Sequence, residues 1–393
     1  MAKVQLHLPH HRYECTSCGR CCRAAWTIAV DRVGEEALRQ SQTYQSKQRS
    51  GYQPLKTVSE RVALARDENN ACLFLTSDNF CEIHAELGGT QKPIVCQTYP
   101  YLFTETPDGV YTSLSYACPA VLEGQGGWVE EQRAALETLL ELRWDDLPRA
   151  ASVGNQVEIC RDLWWEWSDY LRLETRLLEL FSADDPAGSL LELAGRLLFF
   201  AKPHGLDALS ESVVAAPSRF AGFDQQLLAM VSCNLIAVTE DGLTDPQERA
   251  QLGNLLWNGG AHVSSKLGVE LRGFTLLKPH RPELSAVVES YVRQAIFGKR
   301  LLKGTVVSRL LAMACGLSIL LFYQKALEDR EVPRAFDESK SGGALSESID
   351  RAFTLMESEL MSHTVSFDGF FSEFEEALTQ VRDSLYPPES TGA

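Results

Sequence analysis

Positive charge is scarce in this chain: 37 Lys and Arg stand against 53 Asp and Glu in 393 residues, a formal net charge of −16. Nucleic-acid binding draws its affinity from Lys and Arg clustered against phosphates, and no such stripe occurs, so a nucleic-acid partner is not expected. Long hydrophobic runs are also missing. The most apolar stretch, 310–323, is too short to span a bilayer and follows Arg309, so it reads as a buried core helix with no membrane span. Neither the polar start 1–11 nor any later segment has the pattern of a secretory signal or transit peptide. A cytoplasmic protein with reduced thiols is expected. The glycine-rich strand–turn–helix fingerprint that cradles a nucleotide cofactor is absent, as is any local Ser/His/Asp or phosphate-loop arrangement.

Cysteine is concentrated in one region. Eight of the eleven cysteines lie between Cys15 and Cys118, four of them in the run Cys15-Thr-Ser-Cys18-Gly-Arg-Cys21-Cys22. A chain of this length, 45% hydrophobic, can bury a core without covalent staples, and eleven is an odd number, so a disulfide framework is a poor account of them. Thiolates are soft, negatively charged ligands for zinc and iron–sulfur clusters, and two-residue spacings let successive side chains reach one centre from a tight turn. Cys15, Cys18 and Cys21 have that spacing, and Gly19 stands where a knuckle needs positive φ. Neighbouring side chains diverge, so Cys21 and Cys22 are not expected to serve the same ion. Further ligands must come from Cys72, Cys81, His84, Cys96 and Cys118; Cys81-Glu-Ile-His84 repeats the spacing with an imidazole. Eight thiols allow two four-thiolate sites, a dinuclear site, or one cluster with spare cysteines. Four cysteines in eight residues plus distant partners favour an iron–sulfur cluster; zinc on Cys15, Cys18, Cys81 and His84 is the alternative.

Organisation changes near residue 125. The first 125 residues are broken by turn formers such as Lys92-Pro93 and Pro107-Asp108-Gly109, with 26–30 and 111–116 reading as strands. Bound metal would supply folding energy such a segment lacks, on the order of 10–16 kcal/mol for a structural zinc site. Glu123-Gly-Gln-Gly-Gly127 reads as a boundary or hinge. Beyond it, apolar residues recur at three and four positions over 129–142, 157–181, 189–200, 223–238, 245–256, 284–297, 306–327, 346–362 and 367–385, predicting helices. The expected fold is therefore mainly α: a cysteine-rich, irregular α+β metal-binding domain (1–125), a helical domain (126–385) and a disordered tail (386–393). Residues 1–126 carry 12 basic against 13 acidic side chains and the remainder 25 against 40, so the acidity belongs to the helical part. Solvated helix faces account for it, or a surface that attracts a basic substrate.

The order Cys15-x-x-Cys18-Gly-x-Cys21-Cys22, Cys72-Leu-Phe-Leu75, Cys81-x-Ile-His84 and Lys92-Pro-x-x-Cys96-x-x-Tyr99-Pro100 resembles the bacterial cysteine-cluster (YkgJ-like) family of zinc- or iron-chelating proteins, over roughly residues 13–120. Trp26-Thr-Ile-Ala-Val-Asp31 and Ser113-Leu-Ser-Tyr-Ala-Cys118-Pro119 are similar to its flagellin lysine-N-methylase branch. That resemblance implies a metal-binding protein acting as an S-adenosylmethionine-dependent protein-lysine N-methyltransferase on a basic, lysine-bearing protein such as flagellin. A non-catalytic zinc- or iron-binding protein, structural or sensing metal or redox state, is the alternative. No catalytic or cofactor-contacting residue is assigned. Trp164-Trp165-Glu-Trp167 places three indoles on one expected helix, suited to packing or, less readily, to caging an alkylammonium group. Cys160, Cys233 and Cys315 fall in apolar runs and are expected to be core residues.

Overall fold

A computed structural model describes residues 5–24, 26–58, 60–147, 149–210, 220–240, 243, 245–329, 347–357 and 366–385. The expected tail, 386–393, and the end of the helix expected at 346–362 lie outside the described residues. The fold is mainly α with small sheets, in two compact units, Met1–Ala150 and Ala151–Ala393.

In the first unit β1 (Leu6–His7) precedes the short helix α1 (Arg20–Arg23), then α2 (Arg32–Gln40) and α3 (Gln42–Arg49). The hairpin β2 (Leu55–Val58) and β3 (Arg61–Leu64) follows, then α4 (Glu82–Leu87) and α5 (Ile94–Thr98). A second hairpin, β4 (Tyr101–Thr106) and β5 (Gly109–Leu114), leads to α6 (Pro119–Leu122) and α7 (Arg133–Arg143); the chain passes from the first unit into the second within β6 (Arg149–Ser152). β5 pairs antiparallel with β4 and parallel with β1. The Pro107-Asp108-Gly109 turn signal is realised, and Gly109 is needed twice over: its φ is +142°, and a Cβ there would meet the Gln5 carbonyl oxygen at 2.3 Å. The strand expected at 26–30 is reduced to one bridge, Ala29 to Ala63, beside β3.

Local chemistry sets the helix starts. Asp31 caps α2 by accepting from the Gly34 amide (2.9 Å), and Ser41 caps α3 through Tyr44 (3.1 Å). Ile28, Val30, Leu38, Leu64, Phe74 and Ile83 form a small apolar cluster beneath these elements. The unit continues past the glycine-rich segment 123–127 at which the expected boundary lay. Tyr13 N–H donates to Gly127 O (3.0 Å), Gln132 bonds Tyr13 O (2.7 Å) and Tyr101 OH (2.6 Å), and Arg143 pairs with Asp31 (2.8 Å).

The second unit is built on α13 (Val306–Glu328), packed by α9 (Pro186–His204), α10 (Phe220–Thr239), α14 (Glu347–Leu355) and α15 (Ser366–Leu385). α13 is the one described helix long and apolar enough to cross a membrane, and 94% of its most apolar window is buried within the protein. Each leucine it buries contributes about 1.5–3 kcal/mol before entropy is counted. Thr305 caps it by accepting from Ser308 N–H (3.0 Å). Cys160, Cys233 and Cys315 are buried core residues, as expected.

The helix expected over 157–181 is half wrong. Residues 156–166 form a hairpin, β7 (Gln156–Cys160) and β8 (Leu163–Glu166), and only α8 (Trp167–Leu180) is helical. Val157 and Ile159 point inward while Glu158 does not, an alternation of period two that β-branched residues favour. Asp162 turns the hairpin at φ +63°. The three indoles therefore do not share a helix: Trp164 is 54% exposed on β8, whereas Trp167 is buried and stacked on Tyr170. His262 lies in the hairpin of β9 (Ala261–Ser264) and β10 (Val269–Arg272). α11 (Pro246–Trp257) and α12 (Pro282–Phe297) follow the expected periodicity.

Candidate metal centre

The thiols are positioned by loops pinned at a few backbone bonds. Gly19, at φ +72°, lets the chain turn into α1, and Cys22 N–H closes that turn on Gly19 O (3.1 Å). A side chain at Gly19 would place its Cβ 2.5 Å from Arg23 Nη1, in the guanidinium whose Nη2 donates to Asn79 Oδ1 (2.7 Å). Cys72 N–H donates to Cys22 O (2.9 Å), which brings the distant cysteine beside the first run. Arg66 secures this junction, donating to Cys22 O (3.2 Å), Asn70 O (2.7 Å) and Trp26 O (2.6 Å). A turn from Cys72 O to Leu75 N and a bridge from Leu75 to Cys81 then carry the chain into α4, whose N-cap residue is Cys81. Pro93 starts α5 and presents Cys96 within it. Cys118 occupies the N-cap position of α6.

All nine expected ligands, the eight thiols and His84, border one cavity of about 1270 Å³ in the first unit. Cys15 and Cys18 are exposed, Cys21, Cys22, Cys81 and Cys96 half-buried, and Cys72 and Cys118 buried. His84 is exposed, with its ring against Gly89. Among the described residues no three His, Cys, Asp or Glu side chains stand in a metal-holding arrangement. The donor set nonetheless fits zinc or an iron–sulfur cluster by its chemistry: soft sulfur dominates, and among the described residues only Glu14 and Glu131 bring carboxylates to the cavity.

The thiols differ in acidity for stated reasons. Cys21 hydrogen-bonds Cys22 and keeps its own proton, so its pKa rises while that of Cys22 falls, helped by Lys92, Arg23 and Arg66. Burial pushes Cys72 and Cys96 up to about 12, with Lys92 partly offsetting the second, and Cys118 up to about 11. Burial thus favours the protonated thiol at these three positions, and binding a metal there would require the proton to leave. Burial likewise raises Tyr13 and Tyr101, and lowers His11, whose Nε2 lies 2.8 Å from Val121 O.

Sequence reasoning missed much of the wall. Leu136, Leu139, Leu142 and Arg143 of α7 close one side of the cavity, and Tyr13 and Tyr101 meet edge to face at 5.6 Å on another. Nothing local to α7 distinguishes it from a surface helix. Arg66 has no motif of its own, whereas Lys92 was visible in Lys92-Pro-x-x-Cys96.

In comparison with known families, residues 14–119 match the model named CxxCxxCC, described as "Putative zinc- or iron-chelating domain". The match supports the cysteine-cluster family for that segment, which lies wholly in the first unit. No curated protein and no solved structure matches the chain.

Proposed function

We propose that the first unit uses its cysteine cluster as the ligand set of an iron–sulfur centre, with zinc as the alternative, at the wall of a cavity that admits a second molecule. The observation that carries this is the convergence of eight thiols from five separate chain segments on one cavity. Cubane clusters and zinc alike are held by four soft ligands, so either can be satisfied without recruiting a side chain from outside the unit. When bound, such a centre supplies fixed local charge that can orient a substrate and stabilise developing charge. Lys92 and Arg66, which face Cys22, offset the negative charge that the thiolates would accumulate.

The finer reading is methyl transfer to protein lysine, with S-adenosylmethionine as donor and a lysine-bearing protein such as flagellin as substrate. Its support is the likeness of 26–31 and 113–119 to the methylase branch, together with the open cavity beside the thiols. Methyl transfer needs a neutral amine, hence a proton acceptor. Burial holds Tyr13 and Tyr101 protonated, so the acceptor is assigned instead to a carboxylate at the cavity, Glu14 or Glu131.

Metal and acid-labile sulfide content, with a visible spectrum, on protein purified without oxygen tests the first reading. Iron with matching sulfide and a brown chromophore is expected; colourless protein holding zinc would support the alternative, and metal-free protein that cannot be loaded would refute both. Saturable S-adenosylmethionine binding in calorimetry on the metal-replete protein is expected under the finer reading, and its absence would overturn that reading alone.

A further inference from the structure

We infer that the eight thiols belong to two separate centres, an inner one on Cys22, Cys72, Cys81 and Cys96 and an outer one on Cys15, Cys18, Cys21 and Cys118. This rests on the metal-binding reading above and goes beyond it in assigning every thiol.

The division follows from packing. Cys72 is part of the apolar cluster of Ile28, Val30, Leu38, Leu64, Phe74 and Ile83, and Cys22, Cys81 and Cys96 pack against it. None of the other four belongs to that cluster. Three of the inner four, Cys22, Cys72 and Cys81, are also joined through the backbone, by Cys72 N–H to Cys22 O (2.9 Å), the turn from Cys72 O to Leu75 N (2.9 Å), and the Leu75–Cys81 bridge.

The outer four gather at a different place. Residues 11–14 lie along 121–127: His11 Nε2 approaches Val121 O (2.8 Å), Tyr13 N–H donates to Gly127 O (3.0 Å), and a Cβ on Gly126 would fall 2.2 Å from Glu14 Cβ. That alignment brings Cys15, the next residue, to the segment that begins at Cys118. Cys18 follows Ser17, whose φ of +54° puts a left-handed residue in the loop before α1.

Cys21 and Cys22 divide the two sets. Both lie in α1, where successive side chains point about 100° apart; Cys22 packs on the apolar cluster and Cys21 does not, and the hydrogen bond between their thiols marks where the two centres abut. Four donors complete a tetrahedral ion or a cubane, and the division spends all eight thiols without His84. The outer set includes the two exposed cysteines and the inner set none, so the outer centre is the one open to exchange.

The probe is cobalt(II), titrated into the reduced, metal-stripped full-length protein and read by the absorption of tetrahedral sulfur-ligated cobalt. Two equivalents per chain are expected. The Cys15→Ser/Cys18→Ser pair, both at exposed positions, should bind one equivalent and keep a four-sulfur spectrum; the half-buried pair Cys81→Ser/Cys96→Ser should also drop from two to one. Circular dichroism confirms folding, and the exposed pair carries the test where the half-buried pair fails it. Loss of both equivalents, or of neither, from the folded exposed-pair variant would overturn the division. So would one equivalent in the parent protein, which would leave the metal-binding reading standing. A parent protein that binds no cobalt would defeat the metal-binding reading itself.

Discussion

Arg66 holds the junction between the first cysteine run and the rest of the cluster, and removing it should open that junction. Its guanidinium reaches three carbonyl oxygens, those of Cys22 and Trp26 at partly buried positions and that of Asn70 at an exposed one. Hydrogen bonds to a charged group contribute roughly 1.5–3 kcal/mol each. Discounting the exposed bond entirely, and the other two for rehydration of a half-open loop, leaves about 2–4 kcal/mol. Arg66→Met keeps the aliphatic stem and deletes the donors. Amide hydrogen exchange on the full chain reads the result, because Cys72 N–H is bonded to the same Cys22 carbonyl that Arg66 holds. At about 1.4 kcal/mol per tenfold, Cys72 exchange should accelerate about 30- to 700-fold. The β4–β5 hairpin should keep its protection. Arg66→Lys should fall between the two, since a compact ammonium cannot serve three carbonyls in a fork. Unchanged exchange at Cys72, or equal acceleration in β4 and β5, would refute the reasoning.

Gly19→Ala should lower zinc affinity by roughly tenfold in chelator competition. The strain of a left-handed alanine is about 1–2 kcal/mol, and the methyl group collides with the Arg23–Asn79 bond. Affinity equal to the parent's would show that the knuckle conformation is not needed. Leu317→Ala, at a fully buried position of α13, should destabilise the second unit by about 2–5 kcal/mol, read as a lowered melting transition; a shift under a degree would contradict the core assignment. Glu375 sits in a buried position bonded to Arg161 N–H (2.9 Å) and Thr305 OH, and burial raises its pKa above 4.5. The folded state thus retains a proton that the unfolded chain releases near pH 4.5, so this group's contribution falls as pH rises from there through the higher folded value. Glu375→Gln should flatten that decline in melting temperature measured across the window, and an unaltered slope would assign it to another group.

The helical character of the second unit was legible because it is a local, repeated signal. Apolar residues at three- and four-residue spacing mark α9, α12 and α13, and the caps at Asp245 and Thr305 are single residues whose hydroxyl or carboxylate meets the next turn's amides. Residues 156–166 failed the same test. Val157, Ile159, Trp164 and Trp165 suit either period over so short a span, and only partners elsewhere in the unit, which bury Val157 and Ile159, select the hairpin.

Which soft donor atoms the first unit offers can be read from its sequence alone. Thiols and imidazoles two residues apart can act through one turn, so the candidate donors Cys15, Cys18, Cys21 and the Cys81–His84 pair are visible without any fold, as is the need for glycine at position 19. Tertiary structure alone decided which thiols share surroundings. That Cys72 lies beside Cys22, that His84 stays exposed, and that α7 closes a cavity over the cluster depend on contacts between residues tens of positions apart. The physical reason is that such contacts are set by burial and backbone hydrogen bonding summed over the whole unit, and no short window of sequence contains both partners.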